Sequence, residues 1–136
     1  ILPFQFKTAK KVFYIHSSKI NSLDECNRSQ MQNSEEVRLI SPMDMLFRDQ
    51  TWLKTFFDYS FKFEYFKKKG MKWPLSILVG NSFVGYLDCK MEWQTKRFII
   101  KEKNIVDSAF ENHKGIKLAI QELAAFHEAK EIIEKR

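Results

Sequence analysis

The stretch "LSILVGNSFVGYLDCKMEWQTKRFIIKEK", residues 75–103, decides the fold. Two apolar runs, 75–79 and 82–91, flank Gly80-Asn81, a pair suited to a tight hairpin turn. "EWQT" at 92–95 makes a second turn and "KRFIIKEK" at 96–103 a third strand. Alternation along the return strand puts Phe83, Leu87, Cys89, Met91 and Trp93 on one face, with Gly85 among them. It puts Val84, Tyr86, Asp88, Lys90 and Glu92 on the other. The first set reads as core, the second as an exposed face that mixes an aromatic ring with charge. In the next strand Arg97, Ile99, Lys101 and Lys103 share one face, while Phe98 and Ile100 share the other.

Working outward, "FKFEYFKKK" at 61–69 alternates as a half-buried strand, with Phe61, Phe63 and Tyr65 opposite Lys62, Glu64 and Lys68. "QTWLKTFFDYS" at 50–60 reads as a short helix. "VRLISPMDMLFRD" at 37–49 begins as a strand that Ser41-Pro42 ends, because the residue before proline is pushed out of the helical region. Asp44 stands where the chain turns and reads as a turn or cap residue. Further upstream, 1–6 and 12–15 read as short strands, Ser17 or Ser18 as a helix cap, and the polar run 27–36 as a loop. At the other end, Ile116, Ala119, Ile120, Leu123, Phe126, Ala129 and Ile133 recur at helical spacing, with Asn112 as cap and Lys135 and Arg136 at the C-terminus. The expected fold is α+β: an antiparallel β-meander or small barrel-like sheet, a short central helix, and a packed C-terminal helix. Residues 1–36 lead in, and 37–136 form the β-rich domain.

The chain has 136 residues, enough for one core, and carries 13 Phe but only 4 Gly and 3 Pro, which excludes a low-complexity chain. No apolar run approaches the roughly 20 residues of a membrane span, so no membrane partner is expected. Cys26 and Cys89, two well-separated cysteines, read as reduced thiols of a cytoplasmic protein. No Cys/His cluster suits a metal, no glycine-rich loop suits a phosphate cofactor, and His16, His113 and His127 stand apart from any catalytic spacing. Neither a cofactor, a metal nor a catalytic residue is expected. The chain begins with Ile1, which points to a processed product or a piece of a longer protein.

The net charge of +6 is uneven. Residues 61–103 hold 10 basic and 4 acidic groups, whereas 1–60 and 104–136 are nearly balanced. A concentrated basic segment points to a polyanionic partner. The candidate surface is a strip of Tyr86, Lys90, Arg97 and Lys101, extended by Lys67, Lys68, Lys69 and Lys72. Lysines would meet phosphates as point charges and Tyr86 would pack on a sugar or base. The alternative is a solvated lysine-rich face of a structural or protein-interaction module.

"LISPMDMLFRD" at 39–49, with Ser41, Pro42 and Asp44, followed by Glu64 in "FKFEYF" and by Gly80, Val84, Gly85, Asp88 and Lys90 in "GNSFVGYLDCK", resembles in order and spacing the C-terminal part of the winged-helix DNA glycosylase family. Glu92 and Trp93 stand where that family has an arginine, and the proline is shifted to Pro74. The resemblance implies a β-barrel-like domain that follows winged-helix units and supports excision of alkylated bases or unhooking of crosslinks. It also implies double-stranded DNA as partner, held mainly by its phosphate backbone, and an N-terminal winged-helix region of the same protein carrying the catalytic glutamine motif. Gln30-Met31-Gln32 has the letters of that motif in the wrong place.

Overall fold

The computed structural model describes residues 1–7, 10–28, 35–60 and 73–135. The chain forms two compact units, Ile1–Ser34 and Glu35–Arg136. The expected strand at 61–69, Glu64 within it, Lys67, Lys68, Lys69 and Lys72, and the Gln30-Met31-Gln32 run all lie outside the described residues.

In the first unit β1 (Leu2–Phe4) and β2 (Phe13–Ile15) form an antiparallel hairpin with Phe4 opposite Phe13. Phe4, Phe6 and Phe13 make a triangle of rings with centroids 5.3–5.7 Å apart, a spacing that favours edge-on contact. A 3-10 turn, Ser17–Lys19, then leads into α1 (Ile20–Arg28). Its cap is His16 rather than a serine, because the imidazole Nδ1 accepts the Ser18 N–H.

The second unit is a five-stranded sheet of order β3-β4-β5-β6-β7, built from Val37–Ile40, Leu75–Val79, Ser82–Glu92, Arg97–Ile105 and Glu131–Glu134. The first four strands pair antiparallel. Gly80 opens the β4–β5 turn with φ 56°, a conformation that favours glycine and suits a two-residue hairpin. Among the described residues the sheet is open, with β3 and β7 at its edges.

The C-terminal helix is shorter than its periodicity predicts. α3 runs Lys114–Phe126, with His113 rather than Asn112 at its cap, and buries Ile116, Ile120 and Ala124. Glu128, at φ 56°, turns the chain, and Ala129 N–H closes on the Ala124 carbonyl. The segment expected to continue the helix is instead β7, parallel to β6 with Phe98 opposite Ile132. The β6 edge offers backbone partners to Ile132-Ile133, a β-branched pair, and this long-range pairing overrides a helical pattern of local origin.

Two bulges reset the alternation. Val84 is an extra residue of β5 against β4, where Ile77 faces Gly85 and Leu78 faces Phe83. Lys101 is an extra residue of β6 against β5, where Asp88 faces Glu102 and Cys89 faces Ile100. Val84, expected outward, therefore joins the core with Ile77, Val79, Leu87, Phe98 and Ile100 beneath α3. Phe83, expected in that core, turns to the opposite face. Trp93 leaves the strand altogether and stands 60% exposed in the β5–β6 turn. Gly85 must lack a side chain, since a Cβ there would lie 2.0 Å from the Asn104 carbonyl oxygen.

The opposite face is covered in part by the insertion between β3 and β4. A 3-10 turn, Met45–Arg48, and α2, Gln50–Phe57, bury Phe47 and Leu53. Phe83 stacks on Tyr59 at 4.4 Å and meets Phe57 at 5.3 Å and Phe47 at 5.8 Å. Among the described residues no helix is long and apolar enough to cross a membrane.

Candidate nucleic-acid interface

The strip expected on the sheet is not an uninterrupted cationic surface. Lys90 is exposed and, among the described residues, makes no ion pair. Arg97 lies opposite Glu131 of β7 and its Nε donates to that carboxylate at 3.1 Å. The Lys101 bulge separates Lys101 from Lys103. Lys101 stands beside Asp88 on the face away from α3, and Lys103, opposite Leu87, lies on the α3 face 3.6 Å from Glu134. Tyr86 is half-buried and donates its hydroxyl to Glu102.

Asp88 corrects the expectation most sharply. Alternation places it on the face away from α3, as expected, but that face is not solvent: Asp88 is only 3% exposed. Its Oδ1 has no hydrogen bond, and the Lys101 ammonium is 3.7 Å away, close enough for attraction but beyond a hydrogen bond. The charge is felt across the strand. Burial first, and Asp88 second, push the neighbouring Cys89 thiol up to about 11, against the pull of Lys101.

The residues of the Ser-Pro element have structural work. Ser41 Oγ accepts the Met43 N–H at 3.2 Å, and Asp44 Oδ1 accepts the Leu46 N–H at 2.9 Å, capping the 3-10 turn. Pro42 sits between them in the turn. Asp49 caps α2 in the same way through Thr51 N–H.

One exposed cluster was not anticipated. The β5–β6 turn and the α3–β7 turn meet, where Trp93 stands edge-on to His127 at 5.8 Å and Lys96 Nζ lies 5.8 Å from the Trp93 ring. Lys96 also pairs with Glu128 at 3.2 Å. Both Lys96 and Glu128 hold positive φ, of 54° and 56°. Phe126, 81% exposed, adds a third ring. Reading 131–134 as helix hid this corner, because it removed the turn that brings the two ends together. Among the described residues no three His, Cys, Asp or Glu side chains converge as metal ligands. Compared with protein-family models, curated proteins and solved structures, the chain matches none of them.

Proposed function

We propose that this chain is a DNA-binding module that meets the phosphate backbone of duplex DNA through lysines. On this reading it is the C-terminal part of a winged-helix DNA glycosylase-like protein whose catalytic motif lies in another part. The observation that carries the DNA reading is where the charge sits. Residues 61–72 hold five lysines and one glutamate, whereas residues 35–60 and 73–135 together hold 12 basic and 14 acidic groups. The lysine-rich segment leads into β4, whose first residue Leu75 pairs with Leu87, close along β5 to the exposed Lys90. Lys67, Lys68, Lys69, Lys72 and Lys90 are the proposed phosphate contacts, each a point charge. Arg97 and Lys101 play a lesser part, since Glu131 and Asp88 already offset them.

A salt titration against duplex DNA tests this. Each phosphate contact contributes a slope of about −0.9 in log K against log salt. Changing Lys67, Lys68, Lys69 and Lys72 together to Gln is expected to weaken binding at least about tenfold and to flatten that slope by about 3.6. Binding independent of salt, or unchanged in this variant, overturns the reading. The family part stands or falls on the full open reading frame, which must carry an upstream winged-helix region with the glutamine motif. The pairing of Arg97 and Lys101 with acids favours a second reading, a protein-interaction or structural module, which predicts no DNA affinity at any salt concentration.

A further inference from the structure

α3 packs its backbone most extensively against β3, at one edge of the sheet. On the other side, between α3 and the β6–β7 pair, a cleft of about 380 Å³ is left open. Its size falls in the range of about 300–1,000 Å³ usual for small-ligand sites. The floor is aliphatic: Ile100 from β6, Ile116 and Ile120 from α3, and Ile132 from β7. Ile132 points to the helix side of the sheet, opposite Phe98, yet remains 41% exposed, because the helix does not reach over the edge strand.

The polar rim is not neutral. Lys103 is 3.6 Å from Glu134, so these two offset each other. Lys114 and Lys117, one helical turn apart on α3, line the same cleft and make no ion pair among the described residues. Glu111 opposes them. The cleft therefore joins an apolar floor to a rim with one net positive charge. That combination complements a ligand with an apolar tail and a single negative charge. A dianion such as a phosphate monoester would overmatch it, and an amine would meet Lys114 and Lys117 as like charges.

We propose that this cleft is a binding site for a small amphipathic monocarboxylate, its tail on Ile100, Ile116, Ile120 and Ile132 and its carboxylate between Lys114 and Lys117. None of the proposed DNA contacts lines this cleft, and the proposal does not depend on them. Octanoate is the probe, titrated into the full chain and followed by amide NMR shifts and by calorimetry. A ligand of this size is expected to bind with Kd of about 1 mM, with shifts centred on residues 100, 116, 120 and 132. Acetate, which lacks the tail, and octylamine, which inverts the charge, are expected not to compete. Lys114→Gln/Lys117→Gln changes only exposed side chains and is expected to weaken octanoate about tenfold while leaving the thermal midpoint in place. Ile132→Glu, at an already exposed position, puts a carboxylate on the floor and is expected to abolish binding. Absence of binding, shifts mapped elsewhere, octylamine binding as well as octanoate, or equal affinity in the double lysine variant each overturns the proposal.

Discussion

On the α3 side of the sheet burial is almost wholly apolar: Ile77, Val79, Leu87 and Ile100 meet Ile116, Ile120 and Ala124, with the Phe98 ring fully buried among the described residues. On the other side Ser76 and Asp88 are buried beside Leu78 and Ile99, Tyr59 bonds Ser76 Oγ at 3.1 Å, and Phe83 is gripped by three rings from the β3–β4 insertion. The first face needs only volume and is non-directional. The second needs partners in particular places, since a buried polar group left without one costs stability. β5 serves both, and the bulge at Val84 hands its side chains from one face to the other.

The sharpest way to break this arrangement is at the bulge itself. Gly85→Ala puts a methyl group 2.0 Å from the Asn104 carbonyl, so β5 and β6 must part on both faces at once. A loss on the order of 4 kcal/mol is expected in urea unfolding. A loss under about 1 kcal/mol would mean that β6 can withdraw without cost, and that the two faces are not tied through this residue. One step down, the faces can be set against each other. Leu87→Ala empties a fully buried site under α3 and is expected to cost about 3 kcal/mol. Phe83→Ala, half-buried on the aromatic side, is expected to cost about 2 kcal/mol, part of it from the lost stack on Tyr59. The reverse order would make the insertion, and not α3, the main clamp on the sheet.

How far the sequence exposes these two faces follows the same division. Gly80-Asn81 and the runs on either side specify the hairpin locally, and Ile116, Ile120 and Ala124 specify the buried stripe of α3 locally as well. A bulge adds one residue with no composition of its own. Gly85 was its only trace, and Lys101 left none, so alternation carried across Val84 and Lys101 assigned Phe83, Val84 and Lys103 to the wrong sides. β7 was hidden for a different reason: its pairing with β6 is long-range, while "EAKEIIEKR" is helical on local grounds. That error carried into the candidate site. Glu131 and Glu134 come from β7, and they are the acids that offset Arg97 and Lys103. The burial of Asp88 was likewise beyond alternation, which fixes a side chain's direction but not whether anything lies over it.

Asp88 supplies the next test. Lys101→Met removes the cation that stands 3.7 Å from a carboxylate only 3% exposed, and a loss of about 1–2 kcal/mol is expected because that buried charge loses this partner. Lys101 is partly solvated, which keeps the figure below that of a fully buried pair. The double variant Asp88→Asn/Lys101→Met should recover most of it. Failure to recover would show that Lys101 matters through its aliphatic stem and not its charge.

The smallest effect sits at a group that senses both faces. Cys89 is directed to the α3 side, but its thiol is pushed up to about 11 by burial and by Asp88 next to it on the chain, against Lys101. Below the ordinary value of 9.0 the thiol is protonated in both folded and unfolded chains and pH has no effect through it. Between there and about 11 the unfolded chain releases its proton and the folded chain does not, so stability falls as pH rises. In a Cys26→Ser background, urea unfolding at pH 8 and pH 10.5 should therefore show a larger loss for the parent than for Cys89→Ala. The charges can then be separated by the pH dependence of alkylation. Asp88→Asn removes an anion and should move the alkylation midpoint of Cys89 down, whereas Lys101→Met removes a cation and should move it up. If neither moves it, burial alone raises the thiol, and the polar face does not reach through the strand to the apolar one.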